Sequence, residues 1–560
     1  MGKVRTAAGG DTASRPWHGV WPAHLPRSLD YPEVPIWWIL EKNLPAFAER
    51  TAVRFLDHES LAERETLTYA QIAARARAVA AGLQKLGVRK GDRVALCLAN
   101  GPSLIVAFYG IWRAGAVAVP CNPMFSAREL ARQLEDSGAR LLIAGETAAA
   151  AAPEVLALLE HPLVMAGEGG GALSRGTLPQ ETLPRDAMPF ETLLAEDGGG
   201  LREVAIDPRQ DLALLLYTGG TTGPPKGAML THRNIVANTI QFAKWYAFEP
   251  GGETCVSVIP MFHSGGLAGA MNVPLYSGAE LLVMPRFNPL TAARAVERHR
   301  ATRLFGVPTM FIAIMDHEQA RRCDFSSLRA CRTNAAPLPA RVKADFDALA
   351  GHEVLVEGYG LTETSPLTHA NPIAAARPGS IGVPLPDTDA RIVDLKSGLE
   401  APPGGMGEIV IRGPQVMKGY WNRAVETEAV LKQGWLRTGD VGTMDEAGYF
   451  TVVDRLKDVI ISAGYKIWPR EVEEAIYAHP AVKLVAVVGI KDDYRGEAVK
   501  AFVVPKAEYA GKITEAEIVA ACKENLAAYK APRIVEFREA LPISGAGKML
   551  RRLLRGESAG

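Results

Sequence analysis

Residues 212–227 read LALLLYTGGTTGPPKG, an apolar run followed by a loop rich in glycine and threonine. The apolar run predicts a buried strand. Glycine lets backbone N–H groups approach phosphate oxygens closely, and Lys226 adds a positive charge. Hydroxyl donors come from Thr218, Thr221 and Thr222. The loop therefore indicates a polyphosphate site. It is not a Walker A loop, because glycine and not Ser or Thr follows Lys226.

Helical and strand-like patterns alternate on both sides of this loop. Thr68 and Ser126 each precede a Gln or Glu by three residues, the signature of a capping box at the start of a helix. Short apolar runs at 94–98 and 141–144 predict buried strands. Strands that alternate with helices favour an α/β fold with parallel pairing, built in layers.

The chain of 560 residues is too long for one compact core. The polar segment 454–458 follows a strand-like run and precedes about a hundred residues, a typical size for a small domain. We therefore predict a large N-terminal α/β domain of several subdomains over 1–453, a hinge at 454–458 and a small α+β C-terminal domain over 459–560. Residues 145–200 are rich in Ala and Gly and predict a loosely built peripheral segment.

Composition excludes several classes of protein. Lys plus Arg and Asp plus Glu both number 62, so no nucleic-acid partner is expected. The cysteines are scattered without a CxxC pair, which argues against a disulfide framework or a zinc site and favours the cytoplasm. The most apolar early stretch, 104–120, is interrupted by Arg113 and is short for a membrane span. Peripheral membrane association stays open.

Further motifs follow the glycine loop in a fixed order: MLTHRN at 229–234, YGLTET at 359–364, WLRTGD at 435–440 and PISGAGK at 542–548. This series resembles the acyl-adenylate-forming superfamily, and the fatty-acyl-CoA synthetases in particular. The resemblance covers roughly residues 35 to 552.

The resemblance implies an acid–thiol ligase that uses ATP, Mg²⁺ and coenzyme A. A carboxylic acid would attack the α-phosphorus of ATP and form an acyl-adenylate with release of pyrophosphate, and the acyl group would then pass to CoA. The C-terminal domain would swing about Lys457 between the two steps. Relatives are often dimers, so a homodimer is a further expectation.

The resemblance also assigns roles to residues. Lys226, Thr362, Glu363 and Lys548 are the predicted catalytic residues. Thr362 would bond the α-phosphate, Glu363 would hold magnesium, and Lys548 would reach the substrate carboxylate. The predicted ATP- and AMP-binding residues are Thr218, Gly219, Gly220, Thr221, Thr222, Gly223, Lys226, Ala335, Ala336, Pro337, Glu357, Gly358, Tyr359, Gly360, Thr362, Asp440 and Arg455.

Within that set, Tyr359 would stack on adenine and Asp440 would accept bonds from both ribose hydroxyls, as a carboxylate can. Arg455 would contact ribose or phosphate. The predicted CoA-binding residues are Ala463, Gly464 and Tyr465, with the pantetheine arm passing Gly464.

The acyl pocket is predicted around His263, Gly265 and Gly358. His263 could equally be a satisfied core histidine, and it is assigned neither as acid nor as base. Residues 265–273 are small and apolar, without Lys or Arg, which favours a medium- or long-chain fatty acid over an amino acid. Alternatives are an aromatic or alicyclic acid, transfer to a separate carrier protein, a luciferase-like oxidation, or nucleotide binding without catalysis.

Overall fold

The computed structural model of the chain describes residues 15–147, 149–167, 187–196, 198–218, 225–492, 494–543 and 549–557. Its strands, in chain order, are β1 (Thr51–Leu56), β2 (Glu63–Thr68), β3 (Arg93–Cys97), β4 (Val117–Pro120), β5 (Leu141–Ala144), β6 (Val164–Met165), β7 (Met188–Pro189), β8 (Leu212–Tyr217), β9 (Gly227–Thr231), β10 (Thr254–Ser257), β11 (Glu280–Val283), β12 (Arg303–Gly306), β13 (Ala330–Thr333), β14 (Leu355–Gly360), β15 (Leu367–Ala370), β16 (Val383–Pro384), β17 (Asp389–Val393), β18 (Met406–Arg412), β19 (Gly419–Tyr420), β20 (Leu431–Lys432), β21 (Trp435–Met444), β22 (Phe450–Arg455), β23 (Ile460–Ser462), β24 (Tyr465–Ile467), β25 (Val482–Asp492), β26 (Gly496–Pro505) and β27 (Ile534–Phe537).

The α-helices of the described residues are α1 (Trp38–Glu41), α2 (Leu44–Phe47), α3 (Tyr69–Lys85), α4 (Pro102–Arg113), α5 (Ala127–Ser137), α6 (Pro153–Leu156), α7 (Phe190–Leu194), α8 (His232–Trp245), α9 (Ser264–Gly266), α10 (Val273–Tyr276), α11 (Pro289–His299), α12 (Pro308–Asp316), α13 (Ala340–Ala350), α14 (Ala424–Val430), α15 (Pro469–Tyr477), α16 (Glu515–Asn525) and α17 (Arg551–Glu557). A π-helical turn, Leu267–Asn272, joins α9 to α10. None of the helices in these ranges combines the length and the apolar character needed to cross a membrane.

Two large mixed sheets make up most of the fold. In the described part of the chain one has nine strands, in the order β16-β15-β14-β13-β12-β10-β11-β1-β2, and the other has eight, in the order β19-β9-β8-β4-β3-β5-β6-β7. Pairing is parallel along the centre of each sheet, as between β12, β13 and β14 and between β3, β4 and β5. The predicted α/β class with layered sheets is confirmed.

Local sequence signals place the helices as predicted. The hydroxyl of Thr68 accepts a hydrogen bond from the backbone N–H of Gln71 at the start of α3. Ser126 does the same for Glu129 at the start of α5, which ends at Gly138 with a left-handed φ of 67°. Both capping boxes are complete, because the Gln and Glu side chains accept bonds from the cap backbone in return.

The segment 145–200 is peripheral as predicted, because β6 and β7 lie at one edge of the eight-stranded sheet, but the part of it that the structure describes is not loosely built. β6 and β7 extend the parallel core of the eight-stranded sheet. The side chains of Val155, Phe190 and Leu193 are buried. The error arose because strands of two residues are too short to give a periodic pattern in the sequence.

Two smaller sheets follow. β17, β18, β20, β21 and β22 form an antiparallel sheet. β23 to β27 form a mixed sheet beside α15, α16 and α17, in which β27 pairs parallel with β26. The chain passes from the first to the second between Arg455, the last residue of β22, and Ile460, the first of β23. The small α+β C-terminal unit agrees with the predicted fold class, whereas its movement about 454–458 stays a prediction.

The N-terminal arm, the described residues before α1, packs against the rest of the protein through Trp17. The Trp17 side chain is buried and its ring lies 6.1 Å from that of Phe450 in β22. Gly448 adopts a φ of 83°, and a Cβ atom there would lie 2.4 Å from the backbone nitrogen of Trp17. The arm and the turn before β22 therefore pack as one unit.

We predict that Trp17→Ala lowers the free energy of unfolding by about 3–5 kcal/mol, because it leaves a large cavity beside Phe450. Thermal and urea unfolding, followed by circular dichroism, measure the change. Val425→Ala, at a side chain exposed to solvent, is the control and should cost less than about 0.5 kcal/mol. Equal stability of the two variants would show that the arm does not contribute to the core.

Candidate active site

A backbone hydrogen bond joins the two ends of the glycine-rich loop. β8 and β9 pair antiparallel, with Tyr217 opposite Gly227. The N–H of Thr218 donates to the carbonyl oxygen of Lys226 at 2.9 Å. The two ends of the loop therefore lie side by side, at the end of β8 and the start of β9. The predicted phosphate-binding residues Gly219, Gly220, Thr221, Thr222 and Gly223, and the predicted catalytic residue Lys548, lie outside the described residues.

Tyr420 brings the loop lysine and the predicted metal-binding carboxylate together. Lys226 Nζ lies 5.2 Å from the centre of the Tyr420 ring. The Tyr420 hydroxyl donates to Oε1 of Glu363 at 2.7 Å. β19, which carries Tyr420, pairs with β9 beside Ala228, so the contact joins the edge of one large sheet to the end of the other. Tyr420 was missed in the sequence, since nothing there distinguishes it from other tyrosines.

The backbone around Glu363 is fixed at several points. Glu363 lies in the short 3-10 turn Thr362–Thr364 after β14, and its carbonyl oxygen accepts from the N–H of Met417 at 2.8 Å. A Cβ atom on Gly360 would lie 1.7 Å from the Pro366 carbonyl oxygen, so only glycine fits there. The carboxylate is thus held on a rigid turn that faces Lys226.

One carboxylate suits magnesium bound with a polyphosphate. No group of three His, Cys, Asp or Glu side chains in the described ranges could hold a metal by itself. Magnesium prefers hard oxygen ligands and is commonly bound through one or two carboxylates together with substrate phosphates and water. Glu363 supplies a carboxylate oxygen in that setting, so the residues present fit the ion.

A second carboxylate is held in the same way. The buried hydroxyl of Tyr359 donates to Oδ2 of Asp440 at 2.6 Å, and Nε of Arg455 lies 3.2 Å from Oδ1. Burial, and then the charge of Asp440, raises the pKa of Tyr359 well above its usual range, so its hydroxyl keeps its proton. The structure brings together the residues predicted for adenine and ribose.

Lys457, the predicted hinge residue, lies in the same electrostatic environment. Burial, and then the charge of Arg455, lowers its pKa, and the charges of Asp440 and Lys226 also act on it. The segment around it is also bonded to the C-terminal unit. Asp454 accepts from the backbone N–H of Arg470 at 2.9 Å. The predicted hinge is therefore more ordered than its polar sequence indicates.

The predicted adenine-side loop follows β13 and contains Ala335, Ala336 and Pro337. Ala335 has a φ of 68°, a left-handed conformation that is uncommon for a residue with a side chain. The loop is fastened to β14 because Oε2 of Glu357 accepts from the N–H of Leu338 at 3.1 Å. Such local strain persists only where the surrounding structure enforces it.

Glu357 itself is buried, and burial raises its pKa to about 7. The nearest cation is Arg470, whose Nη2 lies 3.9 Å from Oε1, too far for a strong hydrogen bond. Arg470 also donates to the carbonyl oxygen of Val452 at 2.7 Å. Arg470 was missed in the sequence, because its partners lie on other strands and its own segment reads as an ordinary amphipathic helix.

The predicted CoA-binding residues lie on the turn between β23 and β24. Ala463, Gly464 and Tyr465 are exposed, and the Tyr465 ring stacks on that of Tyr529 with 4.6 Å between centres. Gly464 has a φ of 83°, and a Cβ atom there would meet nothing within 4 Å. In this arrangement the backbone conformation, and not a narrow passage, explains the glycine. Among the described residues, no bond or ring contact links this turn to Glu363 or Asp440.

The predicted acyl side is built from α9 and the π-helical turn. His263 precedes α9, and burial lowers the pKa of its imidazole to about 4, so the ring is neutral near pH 7. A Cβ atom on Gly265 would lie 2.7 Å from Nδ2 of Asn334. The acyl wall therefore adjoins the adenine-side loop. Gly358, also predicted here, packs against the side chain of Arg332, which lies 3.1 Å from its Cβ position.

Comparisons with known proteins agree with this architecture. The family described as AMP-binding enzyme matches residues 40–421, and the AMP-binding enzyme C-terminal domain matches residues 471–548. The long-chain-fatty-acid–CoA ligase of Bacillus subtilis is 40% identical over 97% of this chain and 98% of its own length. A feruloyl-CoA synthase of Amycolatopsis is 40% identical over 87% of this chain and 92% of its own length.

Solved structures give the same result. ATP-bound MatB from Rhodopseudomonas palustris matches with a TM-score of 0.81 and 29% identity, covering 93% of this chain and 98% of that one. A benzoate CoA ligase from Burkholderia xenovorans matches with a TM-score of 0.81 and 27% identity, covering 93% of this chain and all of that one. The fold and site define an enzyme that adenylates an acid with ATP. The chain belongs to the AMP-binding enzyme family.

These comparisons confirm the predicted family, the AMP-forming acid–CoA ligase activity and the requirement for ATP, Mg²⁺ and CoA. The roles of individual residues stay predictions. The structure adds which of them lie together: Lys226 with Glu363 through Tyr420, and Tyr359 with Asp440 and Arg455.

We predict that Tyr420→Phe raises the magnesium concentration needed for half-maximal activity by about ten- to a hundredfold. The variant keeps the ring that faces Lys226 but removes the hydroxyl that orients Glu363. Initial rates measured across a magnesium titration give the value. Tyr494→Phe, at an exposed ring, is the matched control. An unchanged magnesium requirement in Tyr420→Phe would contradict the role given to this hydroxyl.

We predict that the free energy of unfolding of the wild type falls as pH rises because of Glu357, and that Glu357→Gln does not show this fall. The folded-state pKa of about 7 exceeds the ordinary 4.5, so the folded form binds the proton more tightly than the unfolded form. The protonated carboxyl makes its full contribution to the free energy of unfolding below about pH 4.5. That contribution declines between about pH 4.5 and about pH 7, by at most about 1.4 kcal/mol per pH unit.

Thermal unfolding midpoints of both proteins, measured from pH 4.5 to 7.5, test this. The wild type should lose stability relative to Glu357→Gln as pH rises. Glu428→Gln, at an exposed side chain, should follow the wild type. Parallel curves for the wild type and Glu357→Gln would show that the pKa of Glu357 is the same in the folded and unfolded states.

Proposed function

We propose that this chain activates a medium- or long-chain fatty acid as its adenylate and transfers the acyl group to CoA. The convergence of Lys226, Tyr420 and Glu363 is the observation that carries the proposal. The small, apolar segment 265–273 supports an aliphatic substrate. Relatives named long-chain-fatty-acid–CoA ligase, 38–40% identical over 97% of this chain, support the same substrate class.

The chemistry depends on electrostatics. A carboxylate and a triphosphate repel one another, so positive groups must neutralise their charge as the acid oxygen attacks the α-phosphorus. Lys226 and Arg455 supply fixed charge on either side of the nucleotide, and Glu363 would hold magnesium. The ion lowers the charge repulsion at the phosphates when it is bound. The acid itself is the nucleophile, so no covalent enzyme intermediate is required.

Lys548 would supply the remaining positive charge at the substrate carboxylate in the first step. The turn at Ala463, Gly464 and Tyr465 would bind CoA in the second. We propose that residues 454–458 are the hinge between the two arrangements, with Lys457 at its centre. The bonds of Asp454 and Asp458 to arginines of the C-terminal unit, Arg470 and Arg555, would change or move with that unit. This is a gating motion and adds no catalytic group.

An aromatic acid is the second candidate. Feruloyl-CoA synthases of Amycolatopsis and Streptomyces are 40% identical over 87% of this chain. Transfer to a separate carrier protein is the alternative for the acceptor. The cysteines are free, which supports a location in the cytoplasm. A homodimer stays an expectation that light scattering can check.

Incubation with ATP, magnesium and a panel of acids tests the proposal, with AMP and acyl-CoA as readouts. We expect rapid AMP production only when CoA and a long-chain aliphatic acid are both present. A preference for cinnamic acids would support the aromatic candidate. AMP release that CoA does not accelerate would point to another acceptor, and nucleotide binding without AMP would contradict the proposal.

We predict that Lys548→Ala slows adenylate formation on the order of a hundredfold or more, as loss of a transition-state donor does. The same variant should still form acyl-CoA from supplied acyl-adenylate at close to the wild-type rate. Arg552→Ala, an exposed cation nearby in the sequence, is the control for general loss of charge. Equal losses in both half-reactions would contradict the role of Lys548.

A further inference from the structure

Arg332 is a fully buried arginine in the middle of the nine-stranded sheet. It lies on β13 between Phe305 of β12 and Val356 of β14 in the strand register. Its side chain is 1% exposed. Nε and Nη1 are buried without a hydrogen-bond partner among the described residues. No carboxylate in those ranges lies within 4.0 Å of its guanidinium, so the buried charge has no ion pair.

Another buried arginine on the neighbouring strand shows how unusual this is. Arg303 of β12 is 3% exposed in its side chain, and its Nη2 lies 2.6 Å from Oε1 of Glu253. Its Nε donates to Oε2 of the same carboxylate at 3.0 Å. The fold therefore neutralises one buried guanidinium with a two-point ion pair and leaves the other without one.

Aromatic rings and a buried hydroxyl surround Arg332. Its guanidinium lies 4.3 Å from the centre of the Phe242 ring and 5.9 Å from that of Phe305. Tyr246, four residues after Phe242 and directly after the end of α8, has a buried hydroxyl that also lacks a hydrogen-bond partner among the described residues. Two orphaned polar groups thus lie in one aromatic environment.

The same environment adjoins the predicted acyl wall. A Cβ atom on Gly269, in the π-helical turn, would lie 3.4 Å from Phe242 and 3.5 Å from Phe305. On the other side the Arg332 side chain packs against Gly358. π-Helical turns occur often at functional sites. The Arg332 guanidinium therefore lies between the π-helical turn and Gly358, the two segments that line the predicted acyl side.

We propose that Arg332, with Tyr246, binds an oxygen-bearing group at the end of the acid remote from the reacting carboxylate. The substrate class is then an acid with a second acceptor oxygen: an ω-carboxylate, an ω-hydroxyl or an oxygen on an aromatic ring. This inference rests on the proposed acid–CoA ligase activity and specifies its substrate further. The segment 265–273 lacks Lys and Arg, so its sequence gives no sign of a cation beside the predicted acyl pocket.

A purely structural role for Arg332 explains the site less well. Cation–π contacts stabilise a guanidinium only modestly, whereas burial of an unpaired charge is costly. Burial lowers the pKa of Arg332 to about 10, so the group is still cationic at neutral pH. A substrate oxygen would supply the missing acceptor. Sites with a buried donor reject analogues that leave the donor unpaired by large factors.

The test uses matched acids that differ only at the far end: hexadecanoic, 16-hydroxyhexadecanoic and hexadecanedioic acid, and cinnamic against 4-hydroxycinnamic acid. kcat/KM for CoA ester formation is measured for the wild type and for Arg332→Met. We expect the wild type to favour the oxygenated member of at least one pair by about tenfold or more. Arg332→Met should reduce that ratio to within about threefold and improve the unsubstituted acid.

Stability separates this role from a structural one. Arg332→Met removes an unpaired buried charge, so its unfolding temperature without substrate should equal or exceed that of the wild type. Arg303→Met is the matched control, and it should lower the unfolding temperature while leaving the ratio between paired acids unchanged. Tyr246→Phe should keep the wild-type stability and reduce the ratio in the same direction as Arg332→Met.

Three results would overturn the inference: a wild-type preference for the unsubstituted acid in every pair, equal loss of activity on both members in Arg332→Met, or a fall in its unfolding temperature like that of Arg303→Met. Absence of AMP formation with every acid would instead contradict the proposed function, and the inference with it.

Discussion

The site depends on two carboxylates that are each held by a tyrosine hydroxyl from another part of the chain. Tyr420 donates to Glu363 and Tyr359 donates to Asp440. The first pair joins the eight-stranded sheet to the nine-stranded one, and the second joins the nine-stranded sheet to the antiparallel sheet of β21. A hydroxyl that donates to one carboxylate oxygen orients the group and leaves further acceptor sites for a metal ion or for ribose hydroxyls. The assembly of the sheets thus determines where those charges lie.

The balance of charge follows from that arrangement. Because the whole chain is formally neutral, an anionic nucleotide must be held by local groups and not by a global field. Lys226 lies over the ring of Tyr420, whose hydroxyl donates to Glu363, and Arg455 pairs with Asp440. Each carboxylate is therefore close to a cation that a phosphate can also use. The predicted hinge residue, Lys457, is close enough to respond to the charges of Asp440 and Lys226.

The sequence predicted those parts of the site in which chemistry is concentrated in a short motif. The structure brings together Lys226 with Glu363 and Tyr359 with Asp440, residues that came from three such motifs, while their roles stay predictions. The capping boxes of α3 and α5 were found because their residues are close together in the chain. Tyr420, Arg470 and Arg332 were missed, since each gains its meaning from partners on other strands.

Segments with short elements were also misread. β6 and β7 contain two residues each, so no periodic pattern marks them, and their neighbourhood was predicted as loosely built. The apolar segment 265–273 contains no Lys or Arg, but β13, which carries Arg332, lies next to it only in three dimensions. That long-range packing places a buried guanidinium beside a wall that is free of basic residues.

Exchange of labelled pyrophosphate into ATP, measured with magnesium and without CoA, tests the central claim most directly. If the tyrosine-held carboxylates and Lys226 form an adenylating site, label should enter ATP only when a suitable acid is present, and the rate should not depend on CoA. Absence of acid-dependent exchange across aliphatic, ω-oxygenated and aromatic acids would contradict the account.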